Sequence, residues 1–141
     1  MASLAFSTVQ DVCVPVASEH DLVTARREGR GMAKQLGFSA AEATLVATAI
    51  SELIRNIFIY ASQGEIHLSL CNDHGRNGIT VVAVDQGARI ADIDLAAQVG
   101  YSAAGGMALG LPGVKRIMDK FDVAYESGRG TTVTATKWKR Q

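Results

Sequence analysis

The sequence predicts an α+β fold in two layers, with helices laid against one face of a mixed or antiparallel sheet. Three observations lead there. Strand-like and helix-like segments follow one another in the order β, α, α, β, β, α, α, β, β. The run ITVVAV, residues 79–84, is apolar enough to be a central strand. The helix that follows Ser39 carries apolar residues on more than one face, which requires burial on several sides. At 141 residues, with 48% hydrophobic and 20% charged, no internal repeat and no linker, the chain reads as one domain over 1–141.

The elements follow from local chemistry. Residues 8–16 alternate weakly and are rich in β-branched side chains, and Pro15 suits this strand to a sheet edge because it removes a donor. Asp21 can cap a helix running to about Leu36, which Gly37 stops. Ser39 caps a longer helix to about Ala61, with Glu42 three residues on at the capping-box position. In it Val46, Ile50, Leu53 and Ile57 form a core stripe, while Ile54, Phe58 and Ile59 add apolar surface elsewhere. Residues 65–71 and 78–84, joined by NDHGRNG, read as a hairpin. A loop from Asp85, a short helix near 94–99, a glycine-rich stretch and a helix over 111–121 come next. Strands over 122–126 and 131–138, joined by SGRG, close the chain.

Charge and cysteine usage narrow the function classes. The chain carries 14 basic and 14 acidic residues, so it lacks the positive field that accompanies binding to nucleic acid or an anionic membrane. The balance is uneven: residues 1–114 hold 7 Lys+Arg against 11 Asp+Glu, a net of −4, and residues 115–141 hold 7 against 3, a net of +4. That asymmetry predicts a basic C-terminal face. Cys13 and Cys71 form no CxxC pair, and His20, His67 and His74 share no zinc-type spacing with them, so a reduced, metal-free cytoplasmic protein is the simplest account. No leader and no membrane-spanning run is evident.

Four places carry residues suited to chemistry. Glu52 and Asn56 lie four apart on the long helix, roughly 40° from each other around its axis. A carboxylate can take a proton and a carboxamide oxygen can join a magnesium shell; a solvated polar edge with Glu52 held by Arg55 is the plain alternative. Asp85 ends the apolar strand before Gln86 and Gly87, and an ionised, acceptor-only carboxylate suits the exocyclic amine of adenine; an Asx turn is the alternative. The stretch 100–113 holds Gly100, Gly105, Gly106, Gly110 and Gly113 ahead of a helix, an arrangement that suits phosphate or a mobile connector. Lys115 and Arg116, placed in that helix's first turn, would oppose its dipole and so call for an anion or an acidic partner. The GRGT turn at 128–131 reads as an ordinary hairpin, His67 and His74 as surface or strand residues, and Trp138 as packing.

In this order, SELIRN at 51–56, VDQG at 84–87, GGMALGLPGVKRIMD at 105–119 and GRGT at 128–131 resemble the N box and three glycine boxes of the GHKL ATP-binding superfamily. More closely, SELIRNIFIYA, DQG, GYS followed by GG, GLPGVKRIMD and the ending ATKWKR resemble the RsbT family of serine/threonine switch kinases, over roughly residues 8–140. The resemblance implies a Bergerat-type sandwich with a mixed sheet, and ATP held with Mg²⁺ between the long helix and a lid. It implies Glu52 as the base toward a substrate hydroxyl, Asn56 as the magnesium ligand and Asp85 as the adenine contact. Gly87 would allow close backbone approach, Gly105, Gly106, Gly110 and Leu111 would form the phosphate lid with Lys115 beside it, and Thr131 would support the adenine site. The substrates implied are STAS-domain proteins of a stressosome-like assembly, and phosphorylation would release the kinase to activate a phosphatase. A kinase-like module that acts by sequestration is the competing reading. Arg89 and Ala108 stand where the family commonly has glycine.

Overall fold

The computed structural model describes residues 11–86, 110–126 and 130–140. The expected short helix at 94–99, Gly87, Arg89, Gly105, Gly106, Ala108, Gly128 and the first residues of the N-terminal strand lie outside them. The elements are β1 (Val12–Val16), α1 (Glu19–Leu36), α2 (Ala40–Tyr60), β2 (Gly64–Asp73), β3 (Arg76–Asp85), α3 (Gly110–Ile117), β4 (Lys120–Glu126) and β5 (Gly130–Trp138). The strands lie in the order β1-β2-β3-β5-β4. Every neighbouring pair is antiparallel, so of the two arrangements expected the sheet takes the antiparallel one and not the mixed one.

The helix ends follow from backbone amides that need acceptors. Ser18, in extended conformation, is the N-cap of α1. Asp21 is therefore not the cap: one turn in, its Oδ2 accepts the amides of Ala17 at 2.8 Å and Ser18 at 3.0 Å. Those bonds, the Ala17 amide first, hold the Asp21 carboxyl below the usual carboxylate range. Gly37 ends α1 in the left-handed region, at φ 102°. Ser39 Oγ accepts the Glu42 amide at 3.1 Å and opens α2 as expected.

Buried Ile50, Leu53, Ile54 and Ile57 on α2 meet Ile66, Leu68, Ile79, Val81 and Ala135 on one sheet face, each no more than 1% exposed. Each large aliphatic side chain so buried contributes about 1.5–3 kcal/mol. Ile54 satisfies the expected burial on a second face of α2, whereas Ile59 is 47% exposed. Among the described residues, no helix is long and apolar enough to cross a membrane.

Two boundaries differ from those the sequence predicts. The expected NDHGRNG loop shrinks to two residues, His74 at φ 55° and Gly75 at φ 84°, the type I′ pattern that matches strand twist. Helix α3 stops at Ile117, not 121, because the Asp119 amide donates to Thr136 O and Phe121 pairs with Ala135 in β4. The expected basic C-terminal face is only partly free: Lys115, Arg116 and Lys120 are exposed, whereas two cations near the end of β5 are held by partners. Lys137 is buried and donates to Ile117 O at the end of α3, and Arg140 pairs with Asp119 at 2.9 Å and with Glu42 at 3.9 Å. Trp138 packs as expected, covering Gly78 and stacking under the Arg76 guanidinium.

Candidate nucleotide site

Helix α2 places Glu52 and Asn56 one turn apart and treats them differently. The Glu52 side chain is 29% exposed and its Oε2 accepts from Arg55 Nη1 at 2.9 Å. An ion pair this exposed is worth no more than about 1 kcal/mol. It holds the carboxylate at the partly exposed edge of α2 through a contact weak enough to exchange. Asn56 is no solvated edge: it is 6% exposed, its Nδ2 donates to Glu52 O at 3.1 Å, and its Oδ1 is buried with no partner.

The far wall is the end of β3. Asp85 is its last residue and is 7% exposed. It sits opposite Gly64 in β2 and Thr131 in β5. Thr131 is 2% exposed and its Oγ1 also lacks a partner. Gly130, at φ 107°, lies so close to the Asp85 carbonyl and Gln86 backbone that a Cβ would collide with both. Gly64 is equally tight against the Val84 carbonyl, with Ile57 of α2 and the Asp85 Cβ just beyond. These two glycines let the ends of β2, β3 and β5 close up beside α2. The sequence marks Gly130 within a GRGT turn that reads as a hairpin and resembles a glycine box, but gives no sign of Gly64, whose lack of a Cβ matters only once β2 and β3 pair.

The remaining candidates separate. Leu111 is 1% exposed and belongs to the core with Val114, so its side chain anchors α3. Gly110 is the first residue of that helix. Lys115 and Arg116 lie in the last turn of α3, not the first, where cations complement the dipole and need no bound anion to explain them. A cavity of about 410 Å³ lies beside Asp85, bounded by Val16, Ala61, Gly64, Val84 and Gln86. Neither Glu52, Asn56 nor Thr131 lines it, so the helix-borne pair is not part of this cavity.

Residues 15–137 match the histidine kinase-like ATPase domain family. The chain is 45% identical over 128 residues to the serine/threonine-protein kinase RsbT of Bacillus subtilis (strain 168), covering 91% of this chain and 96% of that protein. This chain belongs to the RsbT family of serine/threonine-protein kinases. A chain in the crystal structure of the SiaB-SiaC complex from Pseudomonas aeruginosa superposes with a TM-score of 0.63 at 15% identity, covering 97% of this chain and 95% of that one, which shows a shared fold. The ATPase-type domain implies nucleotide use. Against that implication, the buried side-chain oxygens without partners among the described residues of this RsbT-family chain are Asn56 Oδ1 and Thr131 Oγ1. Burying such an atom unpaired costs about 1–3 kcal/mol, which a ligand would recover.

Proposed function

We propose that this chain is the switch kinase of a cytoplasmic, stressosome-like partner-switching module, a single domain that phosphorylates a STAS-domain protein on Ser or Thr and, once released, binds and activates a phosphatase. The observation that carries this reading is the pair of orphaned oxygens, Thr131 Oγ1 on the strand paired with Asp85 and Asn56 Oδ1 on α2. The match to a named protein kinase supports the reaction. The structural neighbour's occurrence in a two-protein complex supports the partner chemistry.

Mg-ATP supplies the phosphoryl group. Asn56 would hold the cation through Oδ1, Asp85 would accept from the adenine amine, and Thr131 would support the base from the neighbouring strand. Gly87 would let the backbone come close to the nucleotide, and Gly105, Gly106 and Gly110 would offer backbone amides to the phosphates, with Lys115 beside them. Glu52 would take the proton of the substrate hydroxyl as its oxygen bonds to the γ-phosphorus and the bond to the bridging oxygen breaks, leaving ADP. Positioning and charge account for most of such catalysis, so few reactive side chains suffice.

The test is Glu52→Gln, assayed for ATP binding by calorimetry and for transfer of labelled phosphate to a STAS-domain protein. Binding is expected to survive while transfer falls about 100-fold or more, the usual contribution of a positioned base. Transfer at the wild-type rate would remove Glu52 from the mechanism, and a wild-type protein that binds its partner but transfers nothing would make it a sequestering module.

A further inference from the structure

We propose that the outer face of β1 and β2 carries a zinc site made by Cys13 Sγ, His67 Nε2 and a Glu65 carboxylate oxygen. Strand pairing assembles it. Cys13 and His67 are direct partners across the β1–β2 ladder, and Glu65, two residues from His67, points to the same face. Nε2 lies 3.9 Å from Sγ and 2.9 Å from Glu65 Oε1, and the three ligand atoms all fall within 4.8 Å of one another. Zinc bonds of about 2.0–2.3 Å at tetrahedral angles put such donors about 3.3–3.6 Å apart, so the two pairs that include His67 need shifts of about 0.3–0.5 Å, and rotation of the half-exposed Glu65 side chain brings its oxygen within reach of Sγ.

Donor type selects the ion. A thiolate and an imidazole favour zinc over magnesium or calcium, and the carboxylate supplies a third, charged ligand. Burial, and then the Glu65 charge, push the Cys13 thiol above its ordinary range. A dication between the two groups turns that repulsion into attraction and releases the thiol proton to water. Three protein ligands leave a fourth position for water or for a side chain from a partner.

The site lies on the sheet face opposite α2, so it is separate from Glu52 and Asn56 and does not rest on the kinase reading. Its mechanical effect falls on β1, an edge strand whose neighbour in the sheet is β2. A metal clamp across Cys13 and His67 would pin that strand, and with it Pro15 and Val16 on the wall of the cavity beside Asp85. Spacing alone hides the site because the ligands come from positions 13, 65 and 67, and pairing of distant strands is what joins them.

The experiment uses the full chain without nucleotide, which would compete for metal, and titrates Co²⁺ as a spectroscopic substitute, followed by Zn²⁺. One equivalent of Co²⁺ is expected to produce a thiolate charge-transfer band that Zn²⁺ bleaches. Cys13→Ser and His67→Ala are expected to abolish the band, Glu65→Gln to weaken Co²⁺ binding by about 10-fold or more, and Cys71→Ser and His74→Asn to leave it intact. In the unmodified protein, Zn²⁺ is expected to slow alkylation of Cys13 while leaving Cys71 as reactive as before. Absence of a thiolate band, survival of the band in Cys13→Ser, or alkylation of Cys13 at an unchanged rate would each overturn the site.

Discussion

Replacing Asn56 by Leu separates a residue kept for a ligand from one kept for the fold. In the ligand-free protein the change deletes one side-chain bond, Nδ2 to Glu52 O, worth about 0.5–1.5 kcal/mol net. The same change removes the unpaired buried Oδ1, relieving about 1–3 kcal/mol, and gains a few tenths of a kcal/mol of helix propensity. The helical backbone bond to Glu52 O is unaffected by the side chain. The balance runs from neutral to about 3 kcal/mol more stable, although a 6% exposed polar residue has been replaced. With an unfolding entropy of about 2.1 cal/mol/K per residue, 1 kcal/mol corresponds to about 3 °C in a chain of 141 residues. Thermal melts without ligand should therefore show Tm unchanged or raised by up to about 9 °C. With Mg-ATP at 100 times its Kd the wild type gains about 2.7 kcal/mol, or about 9 °C, and the variant should lose most of that gain. A ligand-free variant that melts more than about 5 °C below wild type would show that Oδ1 is satisfied within the fold. A variant with the full Mg-ATP shift would show that Asn56 holds no cation.

Three other substitutions probe the remaining parts. Gly130→Ala forces a side chain into positive φ and against the Asp85 carbonyl, and should cost at least about 1–3 kcal/mol in chemical denaturation and weaken ATP binding as well. Asp85→Asn keeps the shape of the residue but puts a donor where a carboxyl oxygen stood, and should weaken ATP binding by about 10–100-fold in calorimetry; unchanged affinity would detach Asp85 from the adenine. Asp21→Ala should lower Tm at pH 7. Because the folded Asp21 pKa is depressed, its contribution is present above the unfolded pKa and disappears as pH falls through the folded one. The gap between wild type and variant should then close below about pH 4.

Local chemistry wrote much of the fold into the sequence. Ser39 with Glu42, Gly37, and the apolar run 79–84 each sit where short-range rules place a cap, a stop and a central strand. Misplaced boundaries are those decided by distant partners. Phe121 has the periodicity of a helix end, yet the free edge of β5 draws it into β4. Lys137 and Arg140 read as a charged tail until α3 supplies a carbonyl for one and Asp119 a carboxylate for the other. Lys115 and Arg116 appear in a first turn or a last turn depending on where α3 starts and stops, and the inference drawn from them reverses with it. Asn56 was visible as a residue type at a useful spacing, but its orphaned oxygen emerges from three-dimensional packing.

The strength of that orphaned oxygen as a functional signal rests on what the rest of the fold does with buried polar groups. Ser51 Oγ donates to Ala47 O, Thr136 shares a hydrogen bond with Thr80, and Lys137 finds the end of α3. Each of these lies where a nearby backbone or side chain can answer it, and each is answered. The packing is therefore good enough to satisfy a buried hydroxyl or ammonium, and a general looseness of the core does not account for Asn56 and Thr131. Thr131 faces Asp85 across the β3–β5 ladder, and Ile57, next to Asn56, reaches Gly64 from α2 beside that same carboxylate. An energetic cost of about 1–3 kcal/mol at each of two such places is hard to retain unless something recovers it. Held as proposed, a nucleotide with its cation, contacting the helix on one side and the strand ends on the other, would recover both.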